Sequence, residues 1–174
     1  MMNRKTKIIK QALKEALLDL LEEQPLSSVS VRGLCKLADV SRSTFYIHYE
    51  GLNALISEME EDFMSHVVFF DGRHPGKGDL TAMEEYVHYV KENQRLFLLL
   101  LKNGRLSSAF ISHSIRKDRL GIYSHHYAVL AVYSVYGTIK ALEYWLNNPA
   151  NQTEREMAEL LYRCACEIAE IQVE

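Results

Sequence analysis

Arg42, Ser43, Thr44, Tyr46 and His48 crowd into the run Ser41-Arg42-Ser43-Thr44-Phe45-Tyr46-Ile47-His48-Tyr49. These side chains suit recognition of an anionic, base-bearing polymer better than bond-making chemistry. A guanidinium is a planar fork that matches the O6 and N7 acceptors of guanine, and hydroxyls both donate and accept. A phenol or an imidazole can reach phosphate oxygens, which fixes register without reading sequence. Arg42 is therefore expected at a base edge, Ser43 and Thr44 as adaptable contacts, and Tyr46 and His48 at phosphates. Catalytic arrangements are missing from the chain. It has no nucleophile motif, glycine-rich phosphate loop or H-E-x-x-H spacing. Neither an enzyme nor a cofactor is expected. Cys164 and Cys166 stand two apart, so on a helix they diverge and cannot share a metal ion. No zinc site and no structural disulfide are expected, and Cys35 is expected to pack between short helices.

Such side chains read DNA only when an element presents them. Ser30 is a good N-cap for a short helix through Ala38, and Ser41 caps another to about Tyr49. Two short capped helices joined by a turn near Asp39-Val40-Ser41 make a helix-turn-helix, whose second helix enters the major groove. Phe45 with Leu34, Leu37 and Val40 is expected to pack the pair together. Ahead of them, Ile8, Ile9, Ala12, Leu13, Ala16, Leu17, Leu20 and Leu21 draw one apolar helical face that Pro25 ends. Lys5, Lys7, Lys10 and Lys14 keep its other side basic.

Beyond Gly51, Leu52, Leu55, Ile56, Met59, Phe63 and Val67 predict a long helix. Residues 71–79, with three glycines and a proline, read as a loop. Helical patterns resume from Leu80 to Asn93, through the following RLFLLLL run, and from His126 to Leu146. A capping box at Thr153 and Glu156 opens the last helix, with Met157, Leu160, Leu161, Cys164, Ile168 and Ile171 in one stripe. No period-two alternation of any length appears, so the fold class is all-α.

With 174 residues the chain can bury a sizeable core. The net charge of −3 is unevenly spread: residues 1–50 carry +2 and residues 51–174 carry −5. The positive part is the one that holds the helix-turn-helix, and local field matters more than total charge. The basic start of the chain lacks the apolar core of a signal peptide, and three cysteines give no disulfide framework, so a cytoplasmic protein is expected. The His126–Leu146 segment is near membrane-spanning length, but Lys140, Glu143, Ser134, Thr138 and four tyrosines make insertion unfavourable.

The run VSVRGLCKLADVSRSTFYIHY followed by LNALI resembles the DNA-binding head of the tetracycline-repressor (TetR) family, over roughly Ile8 to Phe63. The resemblance implies a DNA-binding domain over residues 1–51 and a helical regulatory and dimerisation domain over 52–174. It implies base contacts from Arg32, Arg42, Ser43 and Tyr46, with Ser30, Thr44 and His48 nearer phosphate and Ser41 in the same surface. One departure stands out. Leu52 occupies the position where the family usually has a phosphate-contacting lysine, and Glu50 replaces a commonly basic residue. Backbone amides at that helix start remain able to hold a phosphate.

The resemblance further implies a homodimeric repressor on a palindromic operator, joined through the last two long helices. Independently, Ser134, Gly137, Thr138 and Ala141 form a small-residue stripe that lets another helix approach closely. Trp145, Leu161, Cys164 and Ile168 complete the expected interface. YGTIKALEYWL and the capped helix after it resemble a subgroup that includes regulators of dihydroxyacetone-kinase-like systems, some of which answer to a protein partner. Most of the family instead binds a small molecule within its body. Expected pocket liners are His88, Tyr89, Phe97, Phe110, His113, Tyr123, His126 and Tyr127. The alternative is a helical interaction protein with a weakened DNA-binding head, as Leu52 and Glu50 suggest.

Overall fold

In a computed structural model, residues 4–66, 77–102, 104, 125–148 and 152–170 are described. Regular structure among them is entirely helical, as expected. In chain order it comprises α1 (Arg4–Glu23), a 3-10 turn (Leu26–Ser28), α2 (Val31–Leu37), α3 (Arg42–His48) and α4 (Leu52–Met64). There follow α5 (Lys77–Glu92), α6 (Gln94–Lys102), α7 (His125–Asn147) and α8 (Glu154–Ala169). Helix α5 begins at Lys77, so the backbone of residues 77–79 is helical where the sequence reads as loop. Residues 71–76 and the stretch Ser107–Gly121 lie outside the described residues.

The chain divides into two compact units, Met1–Ser65 and His66–Glu174. In the first, Leu13 and Leu17 of α1 meet Leu34 and Cys35 of α2, Phe45 and Tyr49 around α3, and Leu55, Ile56, Met59 and Phe63 of α4, all buried. Each such large apolar side chain contributes about 1.5–3 kcal/mol. Because the whole inward face of α4 is spent on this core, the unit runs to Ser65, past the division at residue 51 expected from the sequence.

Leu37 does not join it. The inward face of α2 is centred between Leu34 and Cys35, so Leu37 falls on the flank and stays 52% exposed. Val40 is only half-buried.

In the second unit α5 packs chiefly on α8, with α7 also on α8 and α6 on α5. Met83, Tyr86, Val87 and Val90, Phe97 and Leu100, Ile139, Leu142, Trp145 and Leu146, and Met157, Ala158 and Leu161 are its buried side chains from the four helices, among the described residues. The capping box on α8 forms as expected: the Thr153 hydroxyl accepts from the Glu156 amide, and the Glu156 carboxylate accepts from the Thr153 amide at 2.8 Å. The predicted stripe along α8 is split. Met157 and Leu161 are buried, whereas Leu160 is 41% exposed and Cys164 is exposed; Ile171 lies outside the described residues. Among the described residues no helix is long and apolar enough to cross a membrane, and no group of acidic, histidine or cysteine side chains could hold a metal ion.

Candidate nucleic-acid interface

The turn between α2 and α3 is fixed by the backbone. Val40 N–H donates to the Cys35 carbonyl at 2.9 Å and Ala38 N–H to Leu34 at 2.9 Å, closing a Schellman-type end on α2. This places Asp39 in the left-handed region, at φ 52°. Both caps predicted from the sequence form. Ser30 Oγ accepts from the Gly33 amide at 3.1 Å, and Ser41 Oγ accepts from the Thr44 amide at 3.1 Å. The Ser41 hydroxyl also lies 2.9 Å from that of Ser43 and 2.8 Å from that of Thr44. A Cβ at position 33 would sit 3.3 Å from Ser30 Oγ, so glycine there keeps the first cap uncrowded.

Helix α3 is held from beneath and from its end. Phe45 is fully buried and packs edge-on to Tyr46, with ring centroids 5.4 Å apart, and at 5.7 Å from Tyr49. Tyr49, the residue after α3, sends its phenol to Glu58 of α4 at 3.0 Å. Glu58 also pairs with Lys10 and, at 3.1 Å, with Lys14 of α1; Lys14 pairs with Asp62 as well. Lys10 lies over the Tyr49 ring, 5.1 Å from its centroid. Burial pushes the Glu58 carboxyl up, but the two lysines and the tyrosine outweigh it and hold it below the usual carboxylate range. Burial and the Glu58 hydrogen bond push the Tyr49 phenol well above its ordinary range. Lys14 is likewise raised: burial works against its charge, and the bonds to Asp62 and Glu58 prevail.

Lys10 and Lys14 thus spend their charge inside the unit rather than on the basic outer side expected from the sequence. Nothing in the sequence pattern paired them with Glu58, because Lys10 and Glu58 stand 48 residues apart.

With α3 so anchored, its residues sort by direction. Successive side chains turn by about 100°. Arg42, Ser43, Tyr46 and Ile47 share the outward arc and are exposed, Tyr46 at 51% and Ile47 at 76%. Thr44 and His48 are half-buried on its flank, and His48 meets the Tyr49 ring edge-on at 6.5 Å. Arg32 of α2 is exposed, as are the capping residues Ser30 and Ser41. The eight predicted residues therefore gather on the two helices of the motif and the caps that begin them. Ile47 was missed by sequence reasoning; its place beside Tyr46 on the outward arc is the signal that finds it. Glu50 is exposed and Leu52, the first residue of α4, is half-buried.

In the second unit, seven of the eight predicted interface residues line one open groove between α7 and α8, of about 470 Å³. They are Ser134, Gly137, Thr138, Ala141, Leu161, Cys164 and Ile168. Trp145 is not among them. It lies one turn beyond Ala141 on the same face of α7, where it is buried, donates from its indole to the Gln152 carbonyl at 2.9 Å, and carries Lys91 over its ring.

Of the eight pocket residues expected from the sequence, side chains are described for His88, Tyr89 and Phe97, and these three have different surroundings. His88 is exposed and bonds to Glu154 at 2.9 Å, which raises its imidazole above the ordinary range. Its side of α5 thus borders the start of α8, and Glu84, one turn back on α5, lies 3.9 Å from Arg155 of α8. Phe97 is core, and Tyr89 stacks on His66 at 4.2 Å. Phe110, His113 and Tyr123 lie outside the described residues, and only the helical backbone is described for His126 and Tyr127. A buried residue unforeseen from the sequence is Tyr86, whose phenol burial alone pushes well above its usual range. It forms no hydrogen bond among the described residues.

A helix-turn-helix is what these helices define, and two relatives share it by name. The chain is 26% identical over 151 residues to YxbF, an uncharacterised HTH-type transcriptional regulator of Bacillus subtilis (strain 168), covering 79% of this chain and 40% of that protein. It is 26% identical over 121 residues to YvdT, a second such regulator of the same organism, covering 67% and 60%. The chain therefore spans about half the length of the curated relatives it matches. Among solved structures, the dihydroxyacetone kinase operon activator DhaS superposes with a TM-score of 0.61 over 95% of this chain and 98% of that one, at 14% identity, a likeness of fold. No family model matches the chain.

Proposed function

We propose that the chain is a DNA-binding transcriptional regulator of TetR type, reading a palindromic operator as a homodimer. The observation that carries this is the outward arc of α3. Arg42, Ser43 and Tyr46 stand exposed on a short helix whose opposite side is fixed by Phe45 and, through Tyr49, by Glu58. A rigid helix offering a guanidinium, a hydroxyl and a phenol suits the major groove, and both relatives are named for such a motif.

The dimer reading is supported by the α7–α8 groove and by what surrounds it. Tyr133 and Leu160, both exposed, stand among its lining residues, and Val129 and Tyr144 continue the exposed face of α7. Exposed apolar surface of this extent beside a groove floored by small residues suits a second copy packed helix on helix. A dimer seated on its operator blocks polymerase, so repression is the expected effect. The buried phenol of Tyr86, with no hydrogen-bond partner among the described residues, supports an effector, small molecule or protein, that reaches the second unit, since a buried donor without a partner is costly.

A gel shift with the DNA flanking the chain's own gene tests this reading, paired with a promoter-reporter strain. A discrete salt-sensitive complex and a reporter silenced by the protein are expected. One observation favours a second reading, a helical interaction protein with a weakened head: Lys10 and Lys14 are neutralised by Glu58 and Asp62, and Glu50 and Leu52 add no positive charge. Absence of any shift at low salt selects that alternative.

A further inference from the structure

We infer that Ile47 reads a thymine methyl group in the major groove. The inference rests on the reading of α3 as the DNA-contacting helix and adds to it a specificity-determining residue of a different chemistry.

Ile47 is the most exposed of the large apolar side chains described, at 76%. Single exposed apolar residues are ordinary on protein surfaces and need no purpose. This one is placed differently. It stands on the arc that also carries Arg42, Ser43 and Tyr46, and the buried side of α3 is already filled by Phe45. A β-branched side chain loses rotamer freedom in a helix, and here it gains no burial in return within the protein. In a helix of seven residues where only Phe45 and Ile47 lack a polar group, a polar residue would serve free solvent better.

The major-groove edges of the four base pairs are donors and acceptors with one exception, the C5-methyl of thymine. An aliphatic side chain held against the groove matches that group and none of the others. Arg42 and Ile47 stand at opposite margins of the arc and near opposite ends of α3, roughly 7.5 Å apart along its axis. They therefore address different base pairs of one half-site: a guanine for the fork, a thymine for the branch. The hydroxyl of Ser43 and the phenol of Tyr46 lie between them on the arc.

The test uses the full-length chain and duplexes that it enriches from a random-sequence pool. In the enriched site, deoxyuridine replaces thymidine one position at a time, which removes the methyl and leaves every hydrogen-bonding group in place. At one position per half-site, wild-type affinity is expected to fall about fourfold, the effect of one buried methyl. Ile47→Ala is expected to lose at least that factor on the unsubstituted site and to be indifferent to deoxyuridine at that position. Ile47→Val, with one methyl fewer, gives an intermediate value and guards against misfolding of the larger truncation. If no deoxyuridine lowers wild-type affinity, or if Ile47→Ala remains as sensitive as wild type, the methyl contact is refuted while DNA reading by α3 stands. If no sequence is enriched at all, both fall together.

Discussion

Tyr49 and Glu58 are joined by a 3.0 Å hydrogen bond that ties the end of α3 to α4, and through Lys10 and Lys14 to α1. This cluster sets the angle at which the outward arc of α3 is offered. Removing the carboxylate leaves two partly buried lysines without that partner. Glu58→Ala is accordingly expected to cost about 1–3 kcal/mol of stability in the first unit. Glu58→Gln, which can still accept from Tyr49, is expected to cost less.

The same cluster gives a pH dependence of known sign. The folded-state carboxyl of Glu58 is depressed, so its contribution is complete above the ordinary glutamate range and is lost as pH falls through the lower folded value. Thermal unfolding of wild type should show a fall in acid that is shallower in Glu58→Gln. Parallel curves for the two proteins would mean that Glu58 is not held below its usual range.

Asp39 occupies the left-handed region at the turn between α2 and α3, a position that glycine takes without strain. Asp39→Gly should raise stability by about 1 kcal/mol, and a β-branched residue such as Asp39→Val should lower it by at least as much. Denaturant midpoints decide. A stabilising valine would place the turn in another conformation.

Much of this was legible in the sequence. Both caps, the capping box on α8 and the all-helical class follow from short-range chemistry, in which the interacting residues are three or four apart. The contacts that failed to show are long-range. Glu58 pairs with Lys10 across 48 residues, and His88 with Glu154 across 66. A periodic pattern says that a face is apolar but not which neighbour it meets: Leu37 stays exposed on a flank, and Trp145, on the face of α7 that lines the groove, is already covered within the chain. Likewise Ile47 disappears into the motif by type, and its place on the outward arc of α3, together with its exposure, is what sets it apart.

Gly137 has open space where a Cβ would stand, with no atom within 4 Å. Within one chain, Gly137→Ala should thus be tolerated and should gain about 1 kcal/mol of helix stability. Gly137→Arg should leave the helical content intact and yield monomers, because the bulk and charge meet only a second copy. Light scattering checks the mass. A dimer that persists in the Gly137→Arg variant moves the interface away from the α7–α8 groove.

Tyr86 buries a phenol without a hydrogen-bond partner among the described residues. Tyr86→Phe removes the oxygen and keeps the ring, and should stabilise the second unit by about 1 kcal/mol. A loss of similar size in the melting experiment would show that the hydroxyl is bonded.

The central claim is that α3 reads bases with Arg42, and a pair of binding titrations tests it most directly. Arg42→Ala and wild type are titrated on the enriched operator duplex and on a random duplex at one salt concentration, since affinity for DNA depends steeply on salt. Loss of a bidentate contact to guanine should cost about 1–3 kcal/mol on the operator and leave random-duplex binding nearly unchanged. An equal loss on both duplexes would make Arg42 a phosphate contact and contradict the assignment of α3 as the reading helix through that residue.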